Sequence, residues 1–116
     1  MKFVSKFFVV ALLALACTAC GDSGIVVDTS DTSMDFMPSD LTINVGDTAT
    51  FKMTATHNAI EVSKETYESG GNEPLEGGFA VTFGETKDVT FTAAGVHYFV
   101  CEPHIPVGMI GTITVQ

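Results

Sequence analysis

Between Ala49 and Ala55 apolar and polar residues alternate without interruption: Ala49, Phe51, Met53 and Ala55 on one side, Thr50, Lys52 and Thr54 on the other. A period of two suits a strand with one face buried and one face wet, because successive side chains of an extended chain point to opposite faces. Further short apolar runs follow the same habit. Leu41–Asn44 is closed by the turn pair Gly46-Asp47, and Ala59–Ser63, Phe79–Phe83, Lys87–Ala93, Val96–Cys101 and Ile110–Gln116 are punctuated by Gly84 and Gly95. The segment Lys64–Gly78, with Gly70-Gly71, Pro74 and Gly77-Gly78, is predicted as a loop carrying one helical turn over Lys64–Glu68. There is no internal repeat and no long helical pattern. The expected fold is all-β, an antiparallel β-sandwich or barrel of seven to eight strands.

At 116 residues the chain holds one domain. Its start is of another character. Lys2 and Lys6 precede ten apolar residues, Phe7 to Ala16. A bilayer needs roughly 20 such residues, so this is an export signal rather than a membrane span. The end of the signal resembles the lipobox of bacterial lipoproteins, in which a small residue precedes a cysteine that becomes the lipidated N-terminus. Cys20 fits that role, with Ala19 before it and Gly21-Asp22-Ser23-Gly24 after it, although Cys17 stands where the lipobox usually has Leu. Cys17 itself, after Ala14-Leu15-Ala16, is the second choice. The resulting division is a signal peptide at 1–19, a lipidated cysteine with a flexible tether at 20–33 (an early strand is possible at Ile25–Asp28), and a folded domain at 34–116.

Removing the signal leaves Lys52, Lys64 and Lys87 against 14 acids, a side-chain balance of −11. Nucleic acid is excluded as a partner, because its phosphates need cationic side chains. An acidic surface keeps an exported protein soluble and favours encounter with a cationic protein. The run Gly21-Asp22-Ser23-Gly24 looks like the surroundings of a protease serine, but no histidine precedes it to act as base.

With Cys20 carrying lipid, Cys101 is left without a partner, although exported proteins usually pair their cysteines. A bound metal would protect that thiol from oxidation. The run Cys101-Glu102-Pro103-His104-Ile105-Pro106-Val107-Gly108-Met109 places a thiolate, an imidazole and a thioether in one loop between two strands. His57 stands at the end of the Ala49–Ala55 strand, and strands ending at one pole of a sandwich can bring all four groups together. A soft thiolate, two imidazoles and a weak axial thioether suit one copper ion that moves between Cu(I) and Cu(II). Zinc gains little from the thioether. His97 lies four strand residues before Cys101, about 13 Å at 3.3 Å per residue, and is expected as a packed or surface histidine. Met34, Met37 and Met53 are expected as flexible core filling rather than a copper-capture site.

The C-x-P-H-x-x-x-G-M run and the following Ile110-Gly111-Thr112-Ile113-Thr114-Val115 resemble the copper loop and last strand of plastocyanins. Asp35-Phe36-Met37-Pro38, Leu41, Val45-Gly46-Asp47-Thr48 and Phe51 are similar to the first strands of the plastocyanin/azurin family. His57-Asn58-Ala59-Ile60-Glu61-Val62-Ser63-Lys64 resembles that family's first-ligand segment, phytocyanins in particular, without their disulfide. The resemblance spans residues 34–116 and implies a cupredoxin with a Greek-key sandwich and one type 1 copper ion held by His57, Cys101, His104 and Met109. It also implies that Asn58 ties the two ligand segments together. Pro103, having no N–H, leaves the thiolate sulfur without one hydrogen-bond donor.

A filled coordination set leaves no open position for a substrate, so an electron carrier is expected rather than an enzyme. Ile105, Pro106, Val107 and Gly108 would form an apolar docking patch around His104 for cationic, cytochrome-like redox partners. The expected location is the periplasm or cell surface, on a bacterial membrane through the lipid. Two alternatives remain at this stage: a copper delivery or storage lipoprotein, and an adhesion sandwich with a vestigial site.

Overall fold

The period-two runs become strands in the computed structural model, which describes residues 24–116. The expected signal peptide, both candidate lipidation sites Cys17 and Cys20, and Gly21–Ser23 lie outside the described residues. Within them the order is β1 (Val26–Asp28), β2 (Asp40–Ile43), β3 (Thr48–Lys52), β4 (Ala59–Val62), α1 (Lys64–Ser69), β5 (Ala80–Val81), β6 (Thr86–Thr90), β7 (Gly95–Val100) and β8 (Ile110–Val115). A 3-10 turn over Glu102–Val107 joins β7 to β8. No helix among the described residues is long and apolar enough to cross a membrane.

Two sheets face each other. One runs β1-β3-β6 and the other β2-β8-β7-β4-β5. Pairing is mixed rather than purely antiparallel, a correction to the expected fold. β1 lies parallel to β3, with Val26 opposite Thr50, and β2 lies parallel to β8, with Leu41 opposite Ile113. The other pairings, β3–β6, β4–β5, β4–β7 and β7–β8, are antiparallel. Alternation in a sequence reports that one face is buried; it carries no information on which way the neighbouring strand runs. In each sheet an early strand joins one far along the chain, and that pairing sets its direction.

The folded region also begins earlier than residue 34. Val27 is fully buried in the core and Thr29 nearly so, so the early strand expected at Ile25–Asp28 is present as β1 and residues 25–29, in the middle of the expected tether, belong to the sandwich. The Ala49–Ala55 alternation holds for Ala49, Phe51 and Met53, all buried, and then stops. The chain leaves the sheet at Met53 and turns over Thr54–His57, with the His57 N–H donating to the Thr54 carbonyl at 3.1 Å. That turn exposes Ala55 and swings His57 inward.

Val27, Ala49 and Phe51 from the first sheet meet Ala59, Val81, Phe99, Ile113 and Val115 from the second in one continuous core. Phe99 is its hub: the rings of Phe36, Phe51 and Phe79 lie 4.7, 5.6 and 6.0 Å from it. Burying an aromatic side chain of this size stabilises the fold by about 1.5–3 kcal/mol. Phe99 stands two residues before Cys101, so the same packing that holds the sheets together anchors the strand that delivers the thiol. Met53 joins this core, whereas Met34 and Met37 are each 42 % exposed, contrary to the core role expected for them. They flank buried Phe36 in the irregular link between β1 and β2, where one anchor suffices to pin the segment.

Candidate metal centre

Three chain segments converge at one pole. The Thr54–His57 turn presents His57, the end of β7 presents Cys101, and the 3-10 turn carries His104 before returning through Gly108 to Met109. Gly108 takes φ +86°, which closes this loop in a conformation that L side chains rarely adopt. Two backbone bonds fix Met109 against the other loop residues: the Cys101 N–H donates to the Met109 carbonyl at 3.0 Å, and the Met109 N–H to the His104 carbonyl at 3.2 Å.

The His57 and His104 Nδ1 atoms are 3.2 Å apart, and the Cys101 sulfur lies 3.8 and 3.3 Å from them. His57, Cys101 and Met109 are fully buried, and His104 is partly exposed. This is the metal-ready group of His, Cys and acidic side chains among the described residues. The Nε2 atom of His57 faces the Ser30 carbonyl at 2.9 Å. A carbonyl only accepts, so Nε2 carries the proton and Nδ1 turns its lone pair toward Cys101. Burial pushes the Cys101 thiol up from its ordinary range. The backbone N–H groups of Asn58 and His104 oppose that shift, and the nearby Glu102 carboxylate adds to it.

Such a thiol binds a metal only by giving up its proton. Metal uptake is therefore expected to strengthen as pH rises, by about tenfold per unit for the one proton released while pH stays below the thiol's pKa. Competition with a chelator across the neutral to mildly alkaline range measures this. A flat profile would show that the thiol is already ionised.

Asn58 spans the two ligand segments. Its Oδ1 accepts the Glu102 N–H at 2.9 Å, and its Nδ2 donates to Glu102 Oε1 at 3.0 Å. Glu102 is a residue that sequence reasoning missed; its position next to Cys101 was the available signal. Ser30 was missed too, for a simpler reason: its contribution is a backbone carbonyl, which every residue possesses. Pro103 is exposed at the start of the 3-10 turn. His97 stands apart from the cluster. Its Nδ1 lies 2.7 Å from Glu61 Oε2 and its Nε2 2.9 Å from the Ala93 carbonyl. That pair ties β7 to β4, with Glu61 also accepting the Phe79 N–H at 3.2 Å.

A sandwich of two mixed sheets with a buried thiol, two imidazoles and a thioether at one pole defines the cupredoxin class. The chain belongs to the plastocyanin/azurin family of copper binding proteins, whose family profile matches residues 24–116. The chloroplastic plastocyanin of Chlamydomonas reinhardtii is 35 % identical over 111 residues, covering 92 % of this chain and 76 % of that protein. The chloroplastic plastocyanin of Oryza sativa subsp. indica is 38 % identical over 93 residues, covering 70 % of this chain; the match spans about half of that relative, 54 %. Among solved structures, a reduced amicyanin variant aligns with a TM-score of 0.58 at 29 % identity, covering 88 % of this chain and 90 % of the other. A Sinorhizobium pseudoazurin aligns with a TM-score of 0.61 at 27 % identity, covering 80 % and 73 %.

The donor set fits the family's metal. A thiol, two imidazoles and a thioether match the soft, mixed surroundings that copper accepts in both oxidation states, and His57, Cys101 and Met109 are shielded from solvent.

Proposed function

We propose that this protein is a blue copper electron carrier of the cell envelope, holding one ion with His57, Cys101, His104 and Met109. The observation that carries this reading is the approach of the Cys101 sulfur to both His57 Nδ1 and His104 Nδ1, with Met109 pinned beside them by its backbone. When bound, copper supplies a one-electron Cu(I)/Cu(II) couple. The residues do the rest. Cys101 and the two imidazoles are held in place by Asn58, Ser30 and the Gly108 turn, so little has to move between oxidation states. His104 is the ligand that reaches the surface, and beside it Pro106 and Gly108 are exposed and Val107 is 63 % exposed. That apolar rim supports docking of a redox partner against the His104 edge. The net acidic surface favours a cationic, cytochrome-like protein. Lipid attachment at Cys20 would hold the carrier at a bacterial membrane.

Loading the purified protein with Cu(II) and recording its visible spectrum tests the reading. An intense blue colour that bleaches on reduction and returns on oxidation is the expected result; a colourless product overturns it. Burial of three of the four donors argues against a delivery role, in which the ion must leave quickly. Fast transfer of copper to an apo-acceptor would favour that alternative.

Pro103 gives a finer test. It cannot donate to the thiolate, whereas alanine at that place supplies a backbone N–H two residues after Cys101. Pro103→Ala is expected to keep the colour and raise the midpoint potential, by on the order of 59 mV if the one-electron equilibrium moves tenfold. An unchanged midpoint in a voltammetric titration would remove this role.

A further inference from the structure

Residues 29–31, on the stretch expected to be a loose tether, grip the His57 turn at successive points. The Thr29 hydroxyl donates to the Lys52 carbonyl and accepts the Thr54 N–H, both at 2.9 Å. Ser30 offers its carbonyl to His57 Nε2 at 2.9 Å. Asp31 Oδ1 accepts the Thr56 hydroxyl at 3.4 Å. The grip is braced from behind. Thr50 donates its N–H to the Ile25 carbonyl at 2.9 Å, and Asp28 and Met37 exchange two backbone bonds of 2.9 Å.

We infer that the N-terminal arm is a clasp on the metal centre: Thr29 and Ser30 hold His57 with its proton on Nε2 and its Nδ1 free for the ion, and the docked arm sets how fast the ion leaves. The argument is one of donors and acceptors. His57 is fully buried, so its Nε2–H must find a partner inside the protein, and that partner is the Ser30 carbonyl. An arm that lifts away takes the acceptor of that N–H with it and frees the ring to turn, and a turned ring swings Nδ1 away from the sulfur. Partners that orient a ligating histidine in this way matter to metal affinity almost as much as the ligands do. Thr29 is the hinge of the clasp. Its hydroxyl sits nearly buried between the end of β3 and the turn, so its two bonds keep Ser30 in register with the ring.

The inference rests on the copper reading for its metal-release arm but not for its second readout. Thr29→Val preserves shape and removes both hydroxyl bonds, whereas Thr29→Ser keeps them. In the copper-loaded protein, chelator-driven loss of the ion is expected to be about tenfold or more faster in Thr29→Val and within about twofold of wild type in Thr29→Ser. In the metal-free protein, nitrogen-15 shifts of the His57 ring should report protonation on Nε2 with slow solvent exchange for wild type and Thr29→Ser. Mixed tautomers and fast exchange are expected for Thr29→Val. Unchanged release together with an unchanged ring signature in Thr29→Val overturns the clasp. If wild type takes up no copper, the functional reading falls while the ring measurement still decides the clasp. Should Thr29→Val not fold, the wild-type ring decides: a proton on Nδ1 overturns the proposal.

Discussion

Replacing Cys101 by serine is expected to remove the colour of the copper-loaded protein altogether and to weaken copper binding by more than 100-fold, while the sandwich stays folded. Disturbing the groups that orient a metal ligand already costs about 10–100-fold in affinity, so losing the thiolate itself should exceed that range. The geometry explains why no neighbour can substitute. The sulfur is the atom that approaches both imidazoles, at 3.8 and 3.3 Å, and it is buried with no second thiol among the described residues. A serine oxygen is a poor partner for a soft ion and does not ionise near neutral pH. Met109→Leu makes the contrast: it should keep the colour and alter the potential, because a thioether would hold copper only weakly while the thiolate and both imidazoles stay in place. Isothermal titration with Cu(II), the visible spectrum and far-UV circular dichroism together test this. A blue Cys101→Ser protein would move the centre to other donors.

The loop that bears Cys101, His104 and Met109 was legible in the sequence because its donors are close along the chain and differ in kind. His57 was legible only as a candidate, since its 44-residue separation from Cys101 is bridged by the fold. Strand positions followed local rules. Phe51 and Lys52 lie on opposite faces of β3 wherever that strand docks, and β8 alternates from Ile110 to Val115 as its residues suggest. Directions were not legible, because the parallel matches of β1 with β3 and β2 with β8 depend on which strands meet. Nor was the arm. The arm's composition, small and acidic, resembles a linker, and its ties to the His57 turn run through backbone groups, the Thr29 hydroxyl and the Asp31 carboxylate. The same holds for Glu61. Its buried carboxylate is explained by His97 and the Phe79 N–H, two partners from distant strands and loops.

Gly111→Ala is expected to be the most damaging single methyl in the core. Gly111 lies in β8 directly opposite Phe99 of β7. A Cβ added there would come within 2.5 Å of Phe99 Cζ, 2.9 Å of Phe99 Cε2 and 2.7 Å of the Ser39 carbonyl oxygen. Real Cβ contacts do not get that close, so something must shift. The ring has little freedom, being packed by Phe36, Phe51 and Phe79, and Ser39 is backbone held by the Thr112 N–H at 2.8 Å. Overpacking of this kind costs about 1–3 kcal/mol, and a backbone obstacle places Gly111→Ala at or above the upper end. For a domain of this size that corresponds to a fall of about 10–20 °C in the melting temperature of the metal-free protein. The consequence reaches the metal centre, because displacing Phe99 shifts the strand that carries Cys101 two residues on, while β8 itself begins one residue after Met109. Thermal unfolding of Gly111→Ala measures the first effect, and its copper spectrum the second. A melting point within about 2 °C of wild type would mean that Phe99 yields easily, and that the aromatic core does not hold the ligand strands as rigidly as its packing implies.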